Sequence, residues 1–151
     1  TFGILLNLAS VANAEDKSVL WGFISRYRPE ATPETAPLLD RLVGYAIQYY
    51  QDFVKPEKSY RAPNAAERAA LADLRAALDE VPAGCAAEDL QSKVFEIGKA
   101  HGFENLREWY KALYETLLGQ SQGPRMGSFI ALYGISETQA LIDQALAERA
   151  A

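Results

Sequence analysis

The sequence predicts an all-α fold, a compact bundle of about eight helices, and three observations carry that expectation. Apolar residues recur at spacings of three and four along most of the chain, the period of one helix face. No segment alternates apolar and polar residues with the period of two that a half-buried strand needs. Prolines, glycines and capping residues fall between the periodic stretches, where helices start and stop. With 151 residues the chain has the length of one domain. It is read as a single helical domain over 1–151, with a division into 1–63 and 64–151 as the alternative. No internal repeat is visible.

Residues 2–13 are uncharged and read as a buried helix. Asp16 caps a second helix over 17–28, where Leu20, Phe23, Ile24 and Tyr27 share an apolar face before Pro29 stops it. Three prolines make 29–37 a loop. Thr35 then caps the longest helix, over 35–54, with Pro37 in its first turn where the missing N–H costs little. Leu38, Leu39, Leu42, Val43, Ala46, Ile47, Tyr50, Phe53 and Val54 give it a broad apolar stripe. Pro56 and Pro63 bracket a loop, and Asn64 with Glu67 three residues on opens a helix carrying Leu71, Leu74 and Leu78. Leu90, Val94, Ile97 and His101 share the face of the next, and Gly102 is its left-handed stop. Asn105 and Glu108 start a helix with Leu106, Trp109, Tyr110, Leu113 and Leu117 inward, closed by Gly119. A short helix follows over 124–133, ended by Gly134. Ser136 and Gln139 form a capping box for the last.

Composition narrows the function classes. Apolar residues make up 49% and charged residues 23%, a globular balance that excludes disorder, collagen and disulfide scaffolds. The single cysteine, Cys85, cannot form an internal disulfide, which fits a reducing, cytoplasmic setting. With one histidine, His101, the chain lacks the ligands of a structural zinc site and the residues of most His-based catalysis. No metal site, catalytic set or cofactor site is expected. The apolar start is too short to span a membrane, and nothing basic precedes Phe2, as a secretory signal would require. Opening without methionine, directly into an apolar helical run, the chain reads as part of something longer.

Charge is uneven. Residues 1–63 hold seven basic and seven acidic side chains, whereas 64–151 hold eight and thirteen. An acidic chain is a poor non-specific nucleic-acid binder, because such binding depends on Lys and Arg neutralising phosphates. Neither DNA nor a membrane is an expected partner, and any RNA contact must be local. Candidates lie in the first half: Arg26, Tyr27 and Arg28 at a helix end, Arg41 and Tyr45 on the polar face of the long helix with Gln48 and Asp52, and Lys55, Lys58, Tyr60 and Arg61 in one loop. Aromatics set among cations can stack unpaired bases while holding phosphates. The competing explanation is a solvated face with amphipathic tyrosines. Gly123, Pro124 and Arg125 add a helix start whose free N–H groups and guanidinium suit an anion or a base edge. Gly127 permits close approach of another chain there, or tight helix packing. His101 reads as structural, near a helix C-terminus.

Residues 117–134, LLGQSQGPRMGSFIALYG, resemble the C-terminal end of class I lysyl-tRNA synthetases, most closely the proteobacterial branch. Residues 7–27, NLASVANAEDKSVLWGFISRY, and 39–63, LDRLVGYAIQYYQDFVKPEKSYRAP, fit the same family's helical region, so the resemblance spans the whole chain. The GP-led helix is also similar to that of glutamyl-tRNA synthetases. The resemblance implies the helix-cage, anticodon-binding portion of an enzyme that joins lysine to its tRNA with ATP. In that family the chemistry belongs to an N-terminal Rossmann-type domain with HIGH-like and KMSKS-like signatures, neither of which occurs here. ATP therefore belongs to the parent enzyme, and the implied partners are lysine tRNA and the catalytic domain of the same parent chain. Anticodon reading is carried over only regionally, onto the basic and aromatic residues and the helix start at Gly123, Pro124 and Arg125. The alternative is a helical protein-interaction module that binds no RNA, marked by an exposed apolar patch of several hundred Å². A free-standing enzyme is disfavoured, because pairs such as Glu104 and Glu108 read as capping and surface charges.

Overall fold

A computed structural model describes residues 2–82 and 84–148; among them are eight α-helices and no strand. The chain divides into two compact units, Thr1–Lys58 and Ser59–Ala151.

The first unit holds α1 (Phe2–Ala12), α2 (Lys17–Tyr27) and α3 (Pro37–Tyr49), followed by a π-helical turn, Tyr50–Val54, and a 3₁₀ turn, Lys55–Glu57. Leu5, Leu8 and Ala9 meet Leu20, Trp21 and Ile24 of α2 and Val43, Ala46 and Ile47 of α3 in its core. Asp16 caps α2 as expected, accepting from the Ser18 amide at 2.9 Å. Thr35, by contrast, does not cap α3. Its hydroxyl accepts from the Thr32 amide at 2.8 Å, while the Thr32 hydroxyl accepts from the Thr35 amide. That closes a turn in the loop, and the helix opens two residues later at Pro37 behind Ala36. Asp40 ties α3 to α2, accepting from the Lys17 ammonium at 3.0 Å and the Trp21 indole at 2.9 Å. Those bonds, Lys17 first, hold its carboxyl below the usual range.

The apolar faces are narrower than the sequence suggests. Tyr27 is 50% exposed, and Leu38 and Phe53, at 70% and 62%, point outward from the ends of the long helix. Widening into a π turn resets the helical phase after Tyr49. Tyr50 keeps to the buried face of Val43, Ala46 and Ile47, with its hydroxyl on Asn13 Oδ1 at 2.7 Å, whereas Phe53 is turned out.

The second unit holds α4 (Ala65–Glu80), α5 (Ala87–Ala100), α6 (Leu106–Leu113) with a π turn over Tyr114–Leu118, α7 (Met126–Tyr133) and α8 (Ile135–Glu148). Asn64 and Glu67 form the reciprocal capping box of α4. Leu71, Leu74, Leu78, Leu90, Val94, Trp109, Leu113, Leu117, Phe129 and Ile142 are buried, and the Trp109 indole donates to Val94 O at 3.0 Å. Asn105 caps α6 through the Arg107 amide. Gly102 and Gly119 have the positive φ of left-handed stops, 78° and 72°. His101 ends α5 and pairs through Nε2 with Asp73 at 2.9 Å, a structural role.

Two expected helix starts are displaced. The Ser136–Gln139 capping box does not form, because α8 already begins at Ile135, with the Thr138 amide on Gly134 O. Gln139 instead reaches across to α4, donating to Arg75 O and Asp79 Oδ1. Pro124 lies before α7 rather than in its first turn, and Arg125 occupies the capping position without a side-chain cap.

Candidate nucleic-acid interface

In the first unit, Arg41 and Tyr45 lie one turn apart on the outer face of α3, both exposed, Tyr45 by 63%. Gln48 and Asp52 continue that face and are joined by a 2.9 Å hydrogen bond. Two aromatics not foreseen on this surface extend it: Tyr49 and Phe53 are exposed, with ring centroids 5.0 Å apart, and Phe2 meets Tyr49 edge-on at 6.1 Å. Rings four residues apart on a helix are neighbours, so Tyr45, Tyr49 and Phe53 form a row beside Arg41.

Arg26, Tyr27 and Arg28 sit at the end of α2. The Arg26 guanidinium lies 5.3 Å from the Phe23 ring centroid, a cation–π arrangement that holds it against its own helix. The Arg28 amide closes α2 on Ile24 O, leaving its exposed side chain outward. Lys55 is exposed in the 3₁₀ turn. Lys58 folds inward: its ammonium donates to Ser10 O at 2.7 Å and lies 5.6 Å from the Tyr50 ring, fastening the end of the turn to α1.

The second unit holds the other five residues of the predicted set. Tyr60 is 37% exposed. Arg61 is a brace. Its Nη1 and Nη2 donate to the two Glu67 oxygens at 2.7 and 2.9 Å, and its Nε donates to Glu115 at 2.9 Å. These bonds tie the segment before α4 to the π turn after α6. The bidentate bond with Glu67 raises the Arg61 pKa above its ordinary value and lowers that of Glu67, whose partial burial pulls the other way.

Gly123, Pro124 and Arg125 come together with α6. The Tyr114 hydroxyl donates to Pro124 O at 2.8 Å, and its ring packs so closely on Gly123 that a Cβ there would lie 2.5 Å from a ring carbon. The anion site expected at the start of α7 is partly filled from within, since the Gly127 amide donates to Gln91 Oε1 at 2.7 Å. Gly127 itself serves helix packing: a Cβ there would lie 2.6 Å from the Gln91 backbone nitrogen of α5. Arg125 remains exposed at the mouth of this crossing.

Beside the loop lies a recess of about 530 Å³ walled by Arg107, Tyr110, Lys111, Tyr114, Ser121, Gln122 and Gly123. Tyr110 separates it from a second recess of about 430 Å³ that Arg125, Gln91 and Phe95 help to line. The Tyr110 hydroxyl accepts from Gln91 Nε2 at 3.1 Å. Burial raises its pKa, against the lowering effects of that bond and of Arg125. Residues 107, 110, 111 and 114 are spaced as one helix face, a signal of the same kind as Arg41 and Tyr45 but absent from the expected set. Among the described residues no group of three or more His, Cys, Asp or Glu could hold a metal ion, and no helix is long and apolar enough to cross a membrane.

Comparison with known proteins gives one consistent name. The chain is 54% identical over 146 residues to a lysine–tRNA ligase of Rickettsia bellii, covering 97% of this chain and 28% of the relative. It is 51% identical over 149 residues to that of Rickettsia felis, covering 99% and 28%. It is 57% identical over 146 residues to that of Roseobacter denitrificans, covering 97% and 28%. The chain thus has lysine–tRNA ligase homologues along nearly its whole length and spans a little over a quarter of theirs. No family model and no solved structure matches it.

Proposed function

We propose that this chain is the tRNA-binding region of a class I lysine–tRNA ligase and that it holds unpaired anticodon nucleotides. The observation that carries the reading is identity above 50% to lysine–tRNA ligases along almost the entire chain. On that reading the parent enzyme joins lysine to its tRNA with ATP in the cytoplasm. Catalysis then resides outside these residues, and the helical units act as a grip. The chemistry of the exposed side chains supports it. Anticodon bases are splayed and single-stranded, the form of RNA that proteins read by stacking and edge hydrogen bonds. Arg41 with Tyr45, Tyr49 and Phe53 offers rings beside a cation, and so does the recess next to Arg125.

The test is a titration of the 151-residue chain with lysine tRNA and with the same tRNA carrying an altered anticodon, at several salt concentrations. Tighter binding of the lysine anticodon at every salt supports the proposal. Equal affinity for both removes anticodon recognition, because only the sequence-independent electrostatic part would then remain.

One observation favours a second reading, a protein-interaction surface. Leu38, Tyr49 and Phe53 expose an apolar edge along α3 that RNA phosphates would not need. If Leu38→Ser and Phe53→Ser leave tRNA affinity unchanged but abolish association with the separately expressed remainder of the ligase, α3 is a docking face.

A further inference from the structure

We infer that the recess between α6 and the loop over 119–125 is a binding site for one unpaired nucleoside phosphate, the base lying against Tyr110 and Tyr114 and the phosphate on Arg107 and Lys111. The inference rests on the tRNA reading only for the source of that nucleotide.

Charge is the first argument. The chain carries a net charge of −5, with the excess of acid in its second half, yet no carboxylate lines this recess. Arg107 and Lys111 are exposed one turn apart at its edge, and neither forms an ion pair with any of the described residues, although carboxylates are abundant nearby in sequence. Glu115, the acid one turn beyond Lys111, is drawn away by Arg61. Two unpaired cations four residues apart present donors on one face, at a spacing that suits the oxygens of a phosphodiester.

The rings are held in advance. Tyr114 is fixed at its tip by Pro124 O and along one edge by Gly123; Tyr110 is fixed at its tip by Gln91. An aromatic that is already immobile loses little freedom when a base stacks on it, and stacking of this kind contributes about 1–3 kcal/mol per base. The loop is anchored as well. Gly119 takes the left-handed conformation, its carbonyl accepts from the Ser59 amide at 2.9 Å, and the Gln120 amide closes the π turn on Tyr114 O at 3.2 Å. The π turn thus both presents the Tyr114 ring and delivers Ser121 and Gln122, the amide and hydroxyl able to reach a base edge.

Size and openness select the ligand. A volume of about 530 Å³ lies within the about 300–1,000 Å³ of small-ligand sites. The recess opens broadly to solvent, so a strand can enter and leave it while one residue is seated. That geometry favours a nucleotide of a chain over a free mononucleotide, which shares the same chemistry and is the second arm of the test.

Lysine tRNA bearing 4-thiouridine at the uridines of its anticodon loop is irradiated with the 151-residue chain, and the crosslinked peptides are mapped. In parallel, Arg107→Glu with Lys111→Glu is titrated with unmodified tRNA after its helicity has been matched to the parent. Crosslinks at Tyr110 or Tyr114 are expected. The double variant should bind at least tenfold more weakly, with the slope of log affinity against log salt shallower by about 1.4, two single-strand contacts at about 0.7 each. Anticodon-specific binding with crosslinks elsewhere and an unchanged double variant overturns this site and leaves the tRNA reading standing. If tRNA does not bind at all, uridine 5′-monophosphate is titrated while the tyrosine ring proton resonances are followed. Shifts at Tyr110 and Tyr114 then keep the recess as a nucleotide site and overturn RNA as its source; no shift overturns the site itself.

Discussion

Replacing Gly127 with alanine should destabilise the second unit, although the same replacement at Gly22 should stabilise the first. Both glycines are helical. Gly22 lies on the exposed side of α2, and a Cβ there meets nothing within 4 Å. Alanine at Gly22 therefore brings only its gain in helix propensity and the smaller freedom of the unfolded chain, about 0.4–1 kcal/mol of added stability. At Gly127 the new methyl would strike the backbone of α5, at the carbonyl of Ala87 and 2.6 Å from the nitrogen of Gln91, and backbone cannot rotate away as a side-chain tip can. Forcing α5 and α7 apart costs about 1–3 kcal/mol as overpacking. It also strains the 2.7 Å bond between the Gly127 amide and Gln91, a further about 1 kcal/mol. After the propensity gain is subtracted, a net loss of about 1–3 kcal/mol is expected. Each unit carries one buried tryptophan, Trp21 in the first and Trp109 in the second. Urea unfolding followed by fluorescence in Trp21→Phe and Trp109→Phe backgrounds therefore reports the two units separately. A neutral or stabilising Gly127→Ala would refute the reasoning, because it would mean that the crossing of α5 and α7 can widen at no cost.

Three further outcomes follow from the same structure. Arg125→Ala should weaken tRNA binding while leaving the melting temperature within about 1–2 °C of the parent, since its exposed guanidinium contributes little core area; an unfolded variant would place Arg125 in packing. Glu67→Gln should lose about 1–3 kcal/mol at pH 7, because the carboxylate is nearly buried against Arg61 and holds its capping bond as well. Glu67 has a lowered pKa in the folded chain, so its contribution is present above the unfolded value of about 4.3 and is lost as pH falls through the folded value. The gap between parent and variant, followed by urea unfolding from pH 7 downward, should shrink below about pH 4; a constant gap would sever it from ionisation. Leu113→Ala, at a fully buried position, should cost about 2–5 kcal/mol by the same assay.

What the sequence disclosed and what it withheld divide along a physical line. The helices were legible because their signals are local: Asp16 and the Asn64–Glu67 box satisfy amides two or three residues away, and Gly102 and Gly119 turn the chain where they stand. Signals that depend on a distant partner misled. Thr35 is the exception on the local side, a good cap by type whose hydroxyl is taken by Thr32 three residues back. Gln139 fits a capping box, yet its amide finds better acceptors on α4, 60 and 64 residues away. The same division runs through the candidate interface. By sequence Lys58 and Arg61 belong with the exposed cations because both sit in a proline-bracketed loop, and nothing local distinguishes a solvated arginine from one that clasps two carboxylates. Phe53 leaves the apolar stripe because a π turn shifts the phase by a residue, which no periodicity count assuming 3.6 residues per turn can anticipate. The recess on α6 is the instructive case. Four of its seven residues stand at positions 107, 110, 111 and 114, a face readable by the rule that singles out Arg41 and Tyr45, but the apolar pattern counts Tyr110 with Trp109 in the core. Only its contact with Gln91 sets it at the boundary instead, half in the packing and half open to a ligand.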